Sequence, residues 1–239
     1  MVQALPDNVH LSPEDSGRTG VFADRREAGE RLAEMLSPLA ERRPLVLAIP
    51  AGGVPVAEVI ARRLGAPLAV LVVSKATPSW NSEVGFAAVA ADGSEVVDRE
   101  AARRLGLSDE EMAAALQRAR ERVARRQRRF LPGKTVPALK GRTVILVDDG
   151  LATGKTMETA IQAVRRGGAD RVVVAVPTAH EEALRAVASR VDAVYCPNLR
   201  SGFLYAVADA YRHWHDVSEA EVEQILKRAA RAEPQPQDH

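Results

Sequence analysis

Residues 144–156 constrain the fold more than any other stretch of this chain. Val144-Ile145-Leu146-Val147 is a short apolar run with no polar interruption, the pattern of a strand buried on both faces. Two acids, Asp148 and Asp149, stand where that strand should end. A small-residue turn follows, and Thr153-Gly154-Lys155-Thr156 opens a helix-like stretch running from Met157 to Arg166. In open α/β sheets, ligands bind beyond the carboxyl ends of strands, and phosphates bind at helix N-termini. The segment therefore places two hydroxyl-binding carboxylates beside a phosphate cup. A ribose 5-phosphate needs both.

A Walker A loop is excluded by spacing. It requires four residues between its glycines, whereas Gly150 and Gly154 are separated by three, Leu151, Ala152 and Thr153. The acid pair before the loop would also face the phosphates of a nucleotide. Bulk properties narrow the field further. The net charge of +1 gives no general pull toward nucleic acid or an anionic membrane. Hydrophobic residues make up 46% of the 239 residues, enough for a sizeable core. Cys196 is the single cysteine, so no internal disulfide framework exists. No apolar run approaches the length of a membrane span, and residues 1–20 lack the basic start and apolar centre of a secretory signal. These features predict a cytoplasmic protein.

Residues 1–20 read as a polar tail and residues 232–239 as another, leaving 21–231 as the folded domain. The domain alternates in pattern. Helical periodicity over Asp24–Glu41, with Asp24 as N-cap, leads to a strand at Leu45–Ile49 and a helix at Val54–Leu64. Leu68–Ser74 reads as a strand, and Val84–Val97 as a hairpin turning at Asp92-Gly93. Ser108, with Glu111 at capping-box spacing, starts a long helix to Phe130. Strands at Thr143–Val147, Arg171–Val176 and Ala193–Cys196 alternate with helices at Gly154–Arg166 and Glu181–Ser189, and Ser218–Ala230 closes with a helix. This alternation predicts an α/β fold with a doubly wound, mostly parallel sheet. The Arg-rich stretch of the long helix, residues 117–129, reads as a solvated face beside an apolar stripe of Met112, Leu116, Ala119, Val123 and Phe130. His213 and His215 lack the further ligands of a metal site and read as structural.

The 144–156 segment resembles the phosphoribosyl pyrophosphate (PRPP) signature of the type I phosphoribosyltransferases: strand, two acids, small residues, Thr-Gly, then a hydroxyl residue. Leu45–Ala57 resembles the strand, pyrophosphate loop and helix of the same family. Phe22–Gly29 and Asn81–Val89 extend the likeness, which runs from about Phe22 to about Ile225 and is shared with a bacterial branch of predicted phosphoribosyltransferases. The resemblance implies a small hood over the main sheet. It also implies transfer of a 5-phosphoribosyl group from PRPP to a nitrogen acceptor, a nucleobase-like compound, with release of pyrophosphate and with Mg²⁺ as cofactor. Some members of the family instead sense PRPP or nucleotides without catalysis, and relatives are commonly homodimers.

Residue by residue, the resemblance implies that Asp148 and Asp149 engage the ribose hydroxyls, directly or through hydrated Mg²⁺. A carboxylate suits both tasks. Adjacent strand residues point to opposite faces, so one acid can reach the ligand while the other holds the loop. Ala152, Thr153, Gly154, Lys155 and Thr156 would wrap the 5-phosphate, and Ala51, Gly52 and Gly53 would cradle the pyrophosphate. Lys75 opens a flap over residues 75–83 and would contact pyrophosphate, joining the acid pair as a catalytic group. Phe203, Tyr205 and Tyr211 are the candidate stacking residues of the acceptor hood. Two positions depart from the family pattern. Ala51 stands where relatives often carry Arg or Lys, and Ala152 stands where purine-salvage members carry an acid.

Overall fold

A computed structural model describes residues 4–81, 84–132, 136–202 and 205–232. In chain order the first half contains β1 (Val9–Leu11), α1 (Arg25–Leu36), β2 (Leu45–Ala48), α2 (Gly53–Leu64), β3 (Leu68–Val70), β4 (Val73–Ala76), β5 (Ala87–Ala90) and β6 (Glu95–Val97). The second half contains α3 (Arg99–Arg104), α4 (Asp109–Phe130), β7 (Thr143–Val147), α5 (Lys155–Arg166), β8 (Arg171–Ala175), β9 (Thr178–His180), α6 (Glu181–Ala188), β10 (Ala193–Cys196), β11 (Asn198–Arg200) and α7 (Glu219–Ala232).

Six strands form a parallel sheet in the order β1-β10-β8-β7-β2-β3. Strand alternation divides the core between its two faces. Leu45, Leu47, Val144 and Leu146 pack with Met157, Ile161 and Val164 of α5 and Leu184 of α6. Their neighbours Val46, Ala48, Ile145 and Val147 pack with Leu32 and Leu36 of α1, Val54 and Ile60 of α2, and Val222 of α7. Every residue of β2 and β7 is buried, which is why these strands read as unbroken apolar runs. From β2 the chain builds outward to β3 on one side, and from β7 outward through β8 and β10 on the other. The β2–β7 junction is thus the switch point of the sheet, where ligands of doubly wound folds bind.

The N-terminal segment is not a tail. Val9–Leu11 pairs in parallel with β10, and the Asn8 side chain donates to the carbonyls of Ala188 and Val191 at 2.9 and 3.0 Å. Three residues are too few to show a period above their polar surroundings. At the other end α7 runs through Ala232, and residues 233–239 lie outside the described residues.

The apolar run 68–74 is two strands rather than one. Leu71 and Val72 carry the chain out of the main sheet, so β4 joins β5 and β6 in a separate antiparallel sheet. The β5–β6 hairpin turns at Asp92-Gly93 as expected; Asp92 accepts from the Ser94 N–H and hydroxyl, and Gly93 takes φ 83°. The long helix α4 packs on this small sheet through Ala115 and Ala119, and its Ser108–Glu111 capping box forms as the spacing predicts. β9 and β11 form a third, two-stranded sheet.

Candidate functional site

The carboxyl ends of β2 and β7 open into a cleft of about 540 Å³. It brings together Pro50–Gly52 after β2, Asp148–Gly154 and Thr156 after β7, Lys75 from β4, and Arg122 and Arg126 from α4. Four of the five sequence-predicted groups of the 5-phosphate loop, Ala152, Thr153, Gly154 and Thr156, line this cleft, as do Asp148, Asp149, Lys75, Ala51 and Gly52.

The two acids have different surroundings. Asp149 Oδ2 accepts from Arg25 Nε at 2.9 Å and from Nη2 at 2.8 Å. Arg25 is only 6% exposed; its Nη1 donates to the His215 carbonyl at 2.8 Å, and its guanidinium carbon lies 3.9 Å from the Trp214 ring centroid. The Asp149 carbonyl accepts from the Tyr211 hydroxyl at 2.7 Å. Gly52 lies so close that a Cβ there would stand 1.9 Å from Asp149 Oδ2. Asp149 is therefore held on every side. Asp148 Oδ1 accepts from the Asp149 N–H at 2.9 Å, and among the described residues no cation pairs with it. Burial, followed by the adjacent Asp149 charge, pushes the Asp148 carboxyl well above the usual range, against the opposing pull of that N–H and of Lys75.

The loop after β7 is anchored through its backbone. The Leu151 N–H donates to the Thr178 carbonyl and the His180 N–H to the Leu151 carbonyl, each at 2.9 Å, tying the loop to β9. Gly154 takes φ 75° at the start of α5, a left-handed conformation that favours glycine. No side chain caps this helix. The Thr156 hydroxyl is buried without a hydrogen-bond partner among the described residues. Lys155 is the exception within the predicted loop. Its ammonium lies 3.4 Å from Asp98 and does not line the cleft, because the first turn of α5 aims it toward the start of α3.

In the loop after β2 the Pro50–Ala51 peptide is cis. Gly53 departs from its expected place, since it begins α2 and does not line the cleft. A Cβ at Gly53 would stand 2.5 Å from the Val147 carbonyl, so glycine here lets α2 close onto β7. Lys75 is exposed on the rim, and Trp80, in the loop after β4, is 62% exposed. Ser82 and Glu83 lie outside the described residues.

Tyr205 and Tyr211, two of the three expected stacking residues, do not line the cleft. Tyr211 is 6% exposed, packs with Phe22, Ala28 and Ala210, and uses its hydroxyl on Asp149. Tyr205 sits edge-on to His180, with its hydroxyl 3.5 Å from Thr178 Oγ1, and burial raises its pKa. Both rings are spent on packing and both hydroxyls on internal partners, the usual fate of buried tyrosines. Phe203 lies outside the described residues. Among the described residues of this region, Val207 lines the cleft.

The sequence does not single out Arg25 or Trp214, and Arg122 and Arg126 read only as part of an Arg-rich helix face, solvated or, alternatively, an anion or RNA surface. Arg25 carried a signal: a basic residue in the first turn of a helix opposes the dipole, so it needs a partner elsewhere. On α4, Ala115, Ala119, Arg122 and Arg126 follow one another at helical spacing, so the two arginines prolong a buried stripe. The solvated-face reading holds for Arg120, paired with Glu95, but not for Arg122.

Among the described residues no cluster of three or more His, Cys, Asp or Glu gathers to hold a metal, and no helix is long and apolar enough to cross a membrane. The family model of the phosphoribosyl transferase domain matches residues 25–198. Two curated Mycobacterium tuberculosis chains, named "Putative phosphoribosyl transferase" Rv0571c and MT0597, are each 38% identical over 211 residues. The match covers 88% of this chain and 47% of theirs, so the chain spans about half the length of these relatives. The crystal structure of TT1426 from Thermus thermophilus is 40% identical, with a TM-score of 0.69 over 87% of this chain and 98% of that one. With an α/β switch-point cleft built from these motifs, the chain belongs to the phosphoribosyl transferase domain family.

Proposed function

We propose that this protein transfers a 5-phosphoribosyl group from PRPP to a nitrogen acceptor of nucleobase type, releasing pyrophosphate. The observation that carries this reading is the Thr156 hydroxyl, buried and unpartnered at the uncapped start of α5, in the same cleft as the acid pair. An anion with acceptor oxygens satisfies that hydroxyl and the free N–H groups of the helix start together. The 5-phosphate is held there, which positions the anomeric carbon by binding energy remote from it. The bond from that carbon to pyrophosphate breaks, with its electron pair leaving on the pyrophosphate, and a bond to the acceptor nitrogen forms. The acceptor's proton goes to solvent, since Ala152 supplies no base. Asp148 faces the ribose, and its charge favours the positive charge that develops there. Lys75 contacts the departing pyrophosphate from the rim.

The donor set fits Mg²⁺. Two adjacent carboxylates lining the cleft offer hard oxygen donors, which suit an ion that keeps waters and phosphate oxygens. Asp148, and Asp149 through water, would hold it. When bound, Mg²⁺ neutralises pyrophosphate and improves it as a leaving group.

The test has two stages. PRPP with Mg²⁺, and ribose 5-phosphate alone, should raise the unfolding temperature; a ligand at one hundred times its Kd adds about 2.7 kcal/mol. No shift with either at millimolar concentration would sink the proposal. Pyrophosphate release is then screened across a panel of bases. Binding without turnover on any acceptor would favour the PRPP-sensing alternative, toward which Ala51 and Ala152 lean.

A further inference from the structure

We propose that Arg122 and Arg126 of α4 form an anion subsite for the diphosphate of the donor, supplying from outside the main sheet the positive charge that the loop after β2 does not carry. This rests on the PRPP reading above. Pro50, Ala51 and Gly52 offer the cleft only backbone and small apolar groups. Ala51 packs against the same core cluster as Val123 and Phe130 of α4. Arg122 and Arg126, one turn apart, both line the cleft.

Their partners leave positive charge to spare. Arg122 donates from Nε to Ser74 Oγ at 3.1 Å and from Nη2 to the Lys75 carbonyl at 2.5 Å, both neutral acceptors. Among the described residues no carboxylate pairs with it. Arg126 donates to Glu219 at 2.9 Å; Glu219 also takes Arg129, which has Glu223 as a second partner, so Arg122 is the guanidinium left without a counter-charge. Burial, and then the charges of Arg126, Arg118 and Arg125, hold the Arg122 pKa below the usual arginine value. A half-buried guanidinium among like charges is costly unless an anion joins it.

Location selects the diphosphate over the 5-phosphate. The hydrogen bonds of Arg122 fix it beside Lys75 on the β4 side, whereas the 5-phosphate cup belongs to the start of α5. A diphosphate bridging Pro50–Gly52 and α4 meets the remaining N–H groups of two guanidiniums and an ammonium, a set suited to its several oxygens.

Calorimetric titration of the full chain with inorganic pyrophosphate, and separately with ribose 5-phosphate, at fixed Mg²⁺, tests the assignment. Arg122→Gln and Arg126→Gln should each weaken pyrophosphate binding about tenfold, or about 1.4 kcal/mol. Ribose 5-phosphate affinity should stay within about twofold, which also reports that each variant is folded. Arg126→Lys should keep most of the pyrophosphate affinity, and Arg129→Gln, which loosens α4 from α7 outside the cleft, should keep all of it. Pyrophosphate affinity unchanged in both Gln variants, or lost equally in Arg129→Gln, overturns the subsite. So does a wild type that binds ribose 5-phosphate but not pyrophosphate. A wild type that binds neither overturns the PRPP reading itself, and the subsite with it.

Discussion

Gly52→Ala tests how tightly the acid pair is built. Gly52 has φ −60° and ψ −32°, a conformation open to any residue, so glycine is not needed there for its backbone. Alanine would even reduce the entropy of the unfolded chain, a gain of about 0.4–1 kcal/mol. Against this, the new Cβ meets Asp149 Oδ2 at 1.9 Å and Asp149 Cγ at 2.4 Å. The carboxylate has little room to retreat, because Arg25 grips it at 2.8 Å with exposures of 6% and 15% for the pair. Overpacking costs about 1–3 kcal/mol, and breaking a buried pair costs about 3–5 kcal/mol. We expect a net loss of about 3 kcal/mol, nearer the first range if Asp149 tilts and nearer the second if the pair opens. For a chain of this size that is a fall in unfolding temperature of roughly 6–12 °C. Denaturant titration should give the same loss with an unchanged slope. In an Arg25→Met background the carboxylate is released, and the cost of Gly52→Ala should shrink by about 1 kcal/mol or more, a coupling typical of contacting residues. Equal cost in both backgrounds, or wild-type stability for the single variant, would refute the idea that Arg25 locks Asp149 against Gly52.

Thr156→Val removes a buried hydroxyl that has no partner, so stability should hold or rise by up to about 1 kcal/mol while stabilisation by ribose 5-phosphate falls; a denaturation midpoint well below wild type would mean that the hydroxyl is satisfied within the fold. Glu219 is held below the usual carboxylate range first by its hydrogen bond from Arg126 and then, against burial, by Arg129. Its contribution is therefore present above the ordinary glutamate pKa of about 4.3 and is lost as pH falls through the lower folded value. Hydrogen exchange of α7 should accelerate in that acid window, and Glu219→Gln should abolish the dependence; the same pH response in the variant would assign it elsewhere. Asp149→Asn strands Arg25 and should cost about 3 kcal/mol, whereas Asp148→Asn removes a charge that burial disfavours and should be neutral or stabilising. Equal midpoints for the two would contradict the asymmetry of the pair.

The main sheet was legible because its strands are buried on both faces. Runs such as Val144–Val147 and Ala193–Cys196 carry no polar residue that argues for a loop, and Asp24, Ser108 and Gly65 mark helix ends through local chemistry. What escaped depends on partners distant in the chain. β1 owes its form to β10, and Leu71-Val72 leave the main sheet because β5 waits to pair with β4. The placement of the tyrosines escaped for the same reason: Tyr211 bonds Asp149 and Tyr205 lies against Thr178, contacts that local composition does not disclose. The acids, Ala152–Gly154, Thr156 and Lys75, each part of a contiguous motif, line one cleft as the sequence suggests. Arg25 and the α4 arginines, scattered through the chain, reach the same cleft only through folding.

This division explains how two neighbouring carboxylates share one cleft. Both cannot remain ionised in a buried place without compensation. Arg25 supplies the compensation for Asp149, and its own second bond, to the His215 carbonyl, and its stacking on Trp214 leave it little freedom to serve Asp148. Lys75 favours the Asp148 charge without overcoming burial and the charge of Asp149. The cleft is thus short of positive charge at Asp148 and has an excess at Arg122. A ligand that is anionic at its diphosphate and becomes cationic at its ribose answers both imbalances at once. Under the proposed reaction the first complementarity acts on binding and the second grows only as the glycosidic bond breaks, so the two ends of the cleft divide affinity from rate.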